Sequence, residues 1–441
     1  ETMNRWICPL LSSLLLLFLL PPSFAGSSIY SFQATYRLTN TSSSEVEGWL
    51  EVFAFDNENF GWDFQVVLEE NFSPMPQEFR GEDNRILKFL LGKLPPGSWK
   101  EVRLIQLLRV KGRKWERLEG EGEIPQELLK FTVPVPNLWE DAPELKEKAE
   151  ELRGETPYLT AKNLFEFVKN HLSYVKWAQD QSALQAYRSR VGKCTEFTNL
   201  FIALARLSGL PAKFLAGYGY NSKLGENAEE MGHAFAILYL PGVGWVPVDE
   251  TWMGGQFGEL GEDHLILFSS DGSNLVKNGR VSIPGEKWSG GTKLEKFLYL
   301  YREAAVEADL KRGGLENGKI AVMVTLRNTG RSILEDLTVR LEVEEDSFRP
   351  VAPQMVKRLS PREEVEVDFY LEPLRGAENS PLRAEVWARS PYGEVSSEST
   401  MFLTVVIEPA PSPLPLPSEL LLSAVAGLVV VVVLILLLKR R

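Results

Sequence analysis

Two neighbouring stretches, "GKCTEFTNLFIALARLSGLPAKFLAGY" (192–218) and "GHAFAILYLPGVGWVPVDET" (232–251), decide how this chain folds. In the first, Phe197, Leu200, Phe201, Leu204, Ala205 and Leu207 recur at helical spacing and Gly209-Leu210-Pro211 stops the run, so a helix opens at Cys194. The "AKFLAGYGY" that follows reads as a strand. The second stretch reads as two antiparallel strands about a Pro-Gly-Val-Gly turn. His233 stands near the start of one strand and Asp249 near the end of the other. Both numbers are odd, so the two share a face only if paired positions sum to an even number, as when Leu240 opposes Gly244. Phe235 then opposes Asp249, and His233 lies diagonally from it, within side-chain reach. Helices first and antiparallel strands after, continued by "HLILFSS" (264–270), predict an α+β domain over 140–290.

The flanks have a different character. Upstream of Cys194, "APELKEKAEELRG" reads as a charged helix stopped by Gly154, and "TPYLTAKNLFEFVKNHLSY" as a helix capped by Thr156 with Pro157 at its first position. Residues 26–135 hold short alternating runs such as "IYSFQATYRLT", "GWLEVFAFD" and "EVRLIQLLRV", separated by Asn-, Gly- and Pro-rich turns, which predict an N-terminal β-sandwich. Alternation returns in "KIAVMVTLRNTG", "LTVRLEVEE" and "EEVEVDFYLEP", predicting an Ig-like β-sandwich over 318–407. Between the domains, "KLEKFLYLYREAAVEADLK" (293–311) predicts a helical connector within 291–317. A Pro-rich spacer occupies 408–418.

The ends address the chain to a membrane. Arg5, the apolar run Leu10–Leu20, and the small residues Ser23 and Ala25 make residues 1–25 read as a signal peptide, taking Cys8 with it. Leu420–Leu438 carries no charge over 19 residues, about 28 Å of helix against a hydrocarbon core of about 30 Å. Residues 419–438 are therefore expected to form a transmembrane helix, with the basic tail 439–441 cytoplasmic. The expectation is a single-pass protein of the cell membrane with its bulk extracellular. A formal net charge of −12 disfavours nucleic acid and anionic lipid as partners. Of two cysteines, Cys194 would remain alone in an oxidising compartment, as a reactive thiol or half of an intermolecular bridge.

A thiol becomes a nucleophile as its thiolate, and an ordinary pKa of about 8.5 must be lowered for that. A helix N-terminus at Cys194 supplies about half a positive charge, and a partner imidazole supplies more. Three histidines are available, His171, His233 and His264. His233 is the base candidate because the hairpin brings Asp249 back to it. His171 reads as a surface or packing residue of its helix, and His264 as a strand cap that could also approach the site. For the oxyanion, the backbone N–H of Cys194 is one donor, while Gln179, Gln181 and Gln185 remain open as side-chain donors. Trp245 and Trp252 read as core or pocket wall. The "GENAEE" run (225–230) reads as a solvated loop able to gate a cleft or hold calcium.

The order Gly-x-Cys at a helix start, "ALAR-x-x-GLPA" into a strand, His-Ala, Gly-Trp and Asp-x-Thr resembles the transglutaminase-like superfamily over residues 190–253. That resemblance implies a papain-like core with Cys194 as nucleophile, His233 as base and Asp249 as the residue orienting it. It implies no cofactor and no metal. Thr195, Phe235 and Glu250 depart from the common residues of that pattern and bear on acceptor and substrate preference. The function expected is amide or peptide acyl transfer through a Cys194 thioester, with hydrolysis of surface protein or peptide (protease or amidase) favoured over transfer to an amine (protein-glutamine acyltransferase). The rival expectation is a surface adhesion or scaffold protein carried by the two sandwiches. The oligomeric state is left open.

Overall fold

A computed structural model describes residues 26–57, 60–80, 84–273, 276–277, 280–281, 292–374 and 377–405. The expected signal peptide, spacer, transmembrane helix and basic tail lie outside these residues. Among the described residues no helix is long and apolar enough to cross a membrane.

The first unit is built on the strand Ser27–Asn40, whose alternate residues Phe32, Ala34, Tyr36 and Leu38 are buried. One side of this strand pairs with Trp99–Lys111, and Gln65–Ser73 adds beyond that. A second sheet of Val46–Ala54, Arg85–Leu94 and Gln77–Arg80 closes over it. Leu50, Phe55, Leu87, Phe89 and Leu104 fill the space between.

The other side of Ser27–Asn40 corrects the sequence reading. Residues 293–311 are not a helix: Thr292–Ala304 and Val306–Glu316 are strands. Thr292–Ala304 pairs antiparallel with Ser27–Asn40 from Ile29↔Ala304 to Asn40↔Thr292. Lys, Glu, Leu and Ala carry helix propensity, worth only tenths of a kcal/mol per residue. The pairing uses a second periodicity in the same letters, in which Leu300, Arg302 and Ala304 are buried on alternate positions. The N-terminal unit is thus completed by a strand from beyond the central domain.

The central domain sets four helices against one sheet. α1 (Pro143–Glu151), α2 (Pro157–His171) and α3 (Ala183–Ser189) surround α4 (Cys194–Leu207). Thr156 caps α2 by accepting from the Leu159 N–H, with Pro157 at the first turn. Every residue of α4 from Glu196 to Arg206 is buried, and its polar members Glu196, Asn199 and Arg206 are held by hydrogen bonds. The antiparallel sheet runs Gln256–Phe257, Gly244–Asp249, Gly232–Leu240, Ala212–Gly219, His264–Ser270. Ala234, Ala236 and Leu238 pack with the helices, while Phe235 and Ile237 pack with the N-terminal unit. Side chains cap the sheet's edge: Gln65 and Asn84 each exchange two hydrogen bonds with the backbone of Ile266 and Ser269 at 2.8–2.9 Å.

The C-terminal unit faces a sheet of Val306–Glu316, Lys319–Asn328 and Glu364–Leu371 against one of Gln354–Leu359, Leu334–Val343, Ala377–Ser390 and Gly393–Val405. Val322, Val324, Leu341, Phe369 and Val386 lie in its core. Its last strand meets the N-terminal unit at Ser27↔Ser396, so the two units share one sheet.

Candidate active site

The hairpin has the register that an even sum requires: Leu240 opposes Gly244 and Ala236 opposes Val248. His233 and Asp249 accordingly meet, and His233 Nε2–H donates to Asp249 Oδ2 at 2.5 Å. The Cys194 thiol lies beside the imidazole and favours its charged form. Cys194 is a free, half-buried cysteine at the first position of α4, where a helix has N–H groups without intrahelical partners. The structure therefore brings together Cys194, His233 and Asp249 from a helix N-terminus and two strand ends.

The turn before Cys194 is fixed by Glu196, which is fully buried and accepts from the N–H groups of Lys193 (3.0 Å) and Gln181 (3.2 Å). Gly192 is required there, because a Cβ on it would stand 2.4 Å from that of Glu196. A cleft of about 580 Å³ opens over the thiol, lined by Tyr174, Trp177, Thr195, Phe214, Tyr218 and His233 among others.

Electrostatics separate the members of the site. Burial opposes charge on His233, but the Asp249 carboxylate by charge and hydrogen bond, then the Cys194 thiol, outweigh it and push the ring up to about 10. Burial likewise opposes charge on Asp249, yet His233 and His264 hold it well below the usual carboxylate range. Asp249 Oδ1 accepts from the N–H groups of Thr251 and Trp252 (both 2.9 Å) and from the Thr251 hydroxyl (3.1 Å). Glu250, buried beside it, is pushed well up by burial and then by the Asp249 charge.

His264 is not simply a strand cap. It is fully buried, with Nε2 3.2 Å from Asp249 Oδ2 and Nδ1 2.9 Å from Asp263 Oδ1. Trp252 lies with its ring 5.1 Å from both His233 and His264, and its indole N–H donates to Asp263 Oδ2 at 2.9 Å. Gly219 makes room for it, since a Cβ there would come 2.4 Å from the indole. Trp245 instead packs on Phe131 and Tyr239. His171 is a packing residue, stacked between Phe167 and Tyr187.

None of the three glutamines lines the cleft. Gln181 is tied to Val191 and Ser189, Gln185 to Ser182, and Gln179 is exposed. Tyr174, which sequence reasoning missed, does line it. The short parallel pairing of Tyr174 with Gly192 sets it beside the thiol. Tyr174 is 55% exposed, and its partial burial, then its nearness to Cys194, raise its hydroxyl. Only tertiary contact reveals that role, because "SY" after α2 has no signal of its own. In the "GENAEE" run, Glu229 and Glu230 line the cleft, Glu230 pairs with Lys176 at 2.8 Å, and Glu226 pairs with Arg331.

Ligating atoms of His233, Asp249 and His264 lie within 4.8 Å of one another. The contacts of both imidazoles with Asp249 Oδ2 account for that spacing.

Residues 146–250 match the family model of the transglutaminase-like superfamily, and this stretch is a domain of that superfamily. An uncharacterised protein of Haemophilus influenzae is 40% identical over 77 residues, 14% of this chain and 21% of that relative. The chain thus spans about a fifth of the relative's length. A Cytophaga hutchinsonii structure provisionally assigned as a cysteine protease aligns with TM-score 0.43 at 14% identity, over 63% of this chain and 92% of its own. Red sea bream transglutaminase aligns with TM-score 0.22 at 9% identity, over 85% and 95%. At such scores these two likenesses carry nothing about chemistry.

Proposed function

We propose that this chain is a cysteine acyl-transfer enzyme acting on an amide or peptide bond of a protein or peptide. One observation carries the reading: a free thiol at a helix N-terminus beside an imidazole whose Nε2 donates to a buried carboxylate. Cys194 Sγ attacks the carbonyl carbon, forming the C–S bond. The oxyanion faces the Cys194 N–H and the Tyr174 hydroxyl. His233 gives its proton to the leaving nitrogen as the C–N bond breaks, then takes one from water as the thioester hydrolyses. An amine arriving in place of water would give cross-linking by the same steps. The leader-like residues 1–25 and the apolar run 420–438 favour a single-pass surface protein with an extracellular substrate.

The test is the rate of iodoacetamide alkylation of Cys194 against pH, with and without His233→Ala. Fast labelling below pH 7, lost in the variant, is expected. Labelling that follows an ordinary thiol titration and ignores the substitution would return the function to the sandwiches as a scaffold.

A further inference from the structure

The proposed mechanism leaves one buried histidine without a task. Both ring nitrogens of His264 face carboxylates, Nδ1 toward Asp263 at 2.9 Å and Nε2 toward Asp249 at 3.2 Å. A neutral imidazole offers one N–H and one lone pair. In either tautomer, one nitrogen would then turn its lone pair on a carboxylate oxygen. The doubly protonated ring satisfies both contacts. Neither acid is placed to be the proton donor instead. Asp249 already accepts from His233, Thr251 and Trp252. Asp263 accepts from the Trp252 indole and lies in the field of Arg302.

We infer that His264 is a permanent imidazolium and a positioning residue, holding Asp249 in place and offsetting part of its charge so that His233 can surrender its proton. The purpose assigned to it rests on the acyl-transfer reading; its charge does not. Around it stand the His233 ring at 5.5 Å and the Phe235 and Trp252 rings, with Glu262, Arg302 and Tyr30 behind Asp263 and buried Glu250 beside Asp249. With two cations and two anions, the row Asp263–His264–Asp249–His233 is balanced. If His264 lost its charge, the row would be net negative and His233 would hold its proton more firmly. Burial pulls the His264 pKa down, but bonds to both carboxylates more than offset it.

Histidine 13Cε1 NMR of the full chain tests this, because only three histidines contribute and His171→Gln identifies one. The His264 signal is expected to stay at the imidazolium position from pH 5 to 9. Asp263→Asn should bring its titration into that range. His264→Gln keeps an N–H toward Asp249 without the charge, and should raise the His233 titration by about one pH unit. A wild-type His264 that titrates near 6.5 overturns the cation. A His233 titration unmoved by His264→Gln overturns the offsetting role. If His264→Gln fails to fold, the wild-type and Asp263→Asn spectra still decide the charge. Failure of the acyl-transfer reading would appear separately, as alkylation indifferent to His233→Ala.

Discussion

At the scale of single residues, the site is a set of charges whose burial would be costly if any were unpaired. This gives stability a signed pH dependence. The His233 pKa rises from 6.5 to about 10 on folding. Its contribution is therefore complete below pH 6.5 and is lost as pH rises toward 10. Asp249 is depressed, so its contribution holds above the ordinary carboxylate pKa and is lost on acidification through its lowered folded value. Urea unfolding from pH 6 to 10 should show a falling midpoint, and His233→Asn should flatten that slope. Gly192→Ala belongs to this scale too. Its Cβ would collide with Glu196, and a loss of about 1–3 kcal/mol with displacement of the turn before Cys194 is expected. Urea denaturation measures the loss, and alkylation rate reports whether the thiol has moved.

At the scale of elements, α4 and the hairpin were legible because their signals are local. Helical spacing from Phe197 to Leu207 fixes which faces are buried, and the short turn after Leu240 fixes parity. Thr292–Ala304 was not legible. Its letters suit a helix or a strand, and only a long partner strand settles between them. The edge caps were equally hidden, since Gln65 and Ile266 lie 201 residues apart. Gln65→Leu should leave the Ile266 N–H and C=O unpaired, at a cost of about 1–3 kcal/mol read as a lower melting temperature.

At the scale of the whole molecule, closure is non-local. Ser27–Asn40 has one of its edges covered by Thr292–Ala304 and, at Ser27, by Gly393–Val405, so residues 26–135 alone would expose that edge and the apolar face beneath Leu300. Expressed alone, this fragment should aggregate or bind ANS, and adding peptide 292–304 should lower the ANS signal in part, since Phe235 and Ile237 of the central sheet also cover this core. The same strand also tethers the cleft loop. The Leu300 N–H donates to the Glu226 carbonyl and Tyr299 bridges Asn227, while Arg331 of the C-terminal unit pairs with Glu226. Both flanking units thus border the loop that carries Glu229 and Glu230.

The sequence by itself determined the helix that begins at Cys194, the hairpin that returns Asp249 to His233, and the order of β-rich and α+β regions, because periodicity and turn chemistry act over a few residues. Tertiary structure alone decided that residues 292–304 are a strand, that Tyr174 stands beside the thiol, and that His264 lies between two carboxylates. Each of those depends on which distant surface a short segment meets, and burial or pairing there outweighs the tenths of a kcal/mol by which local preference speaks.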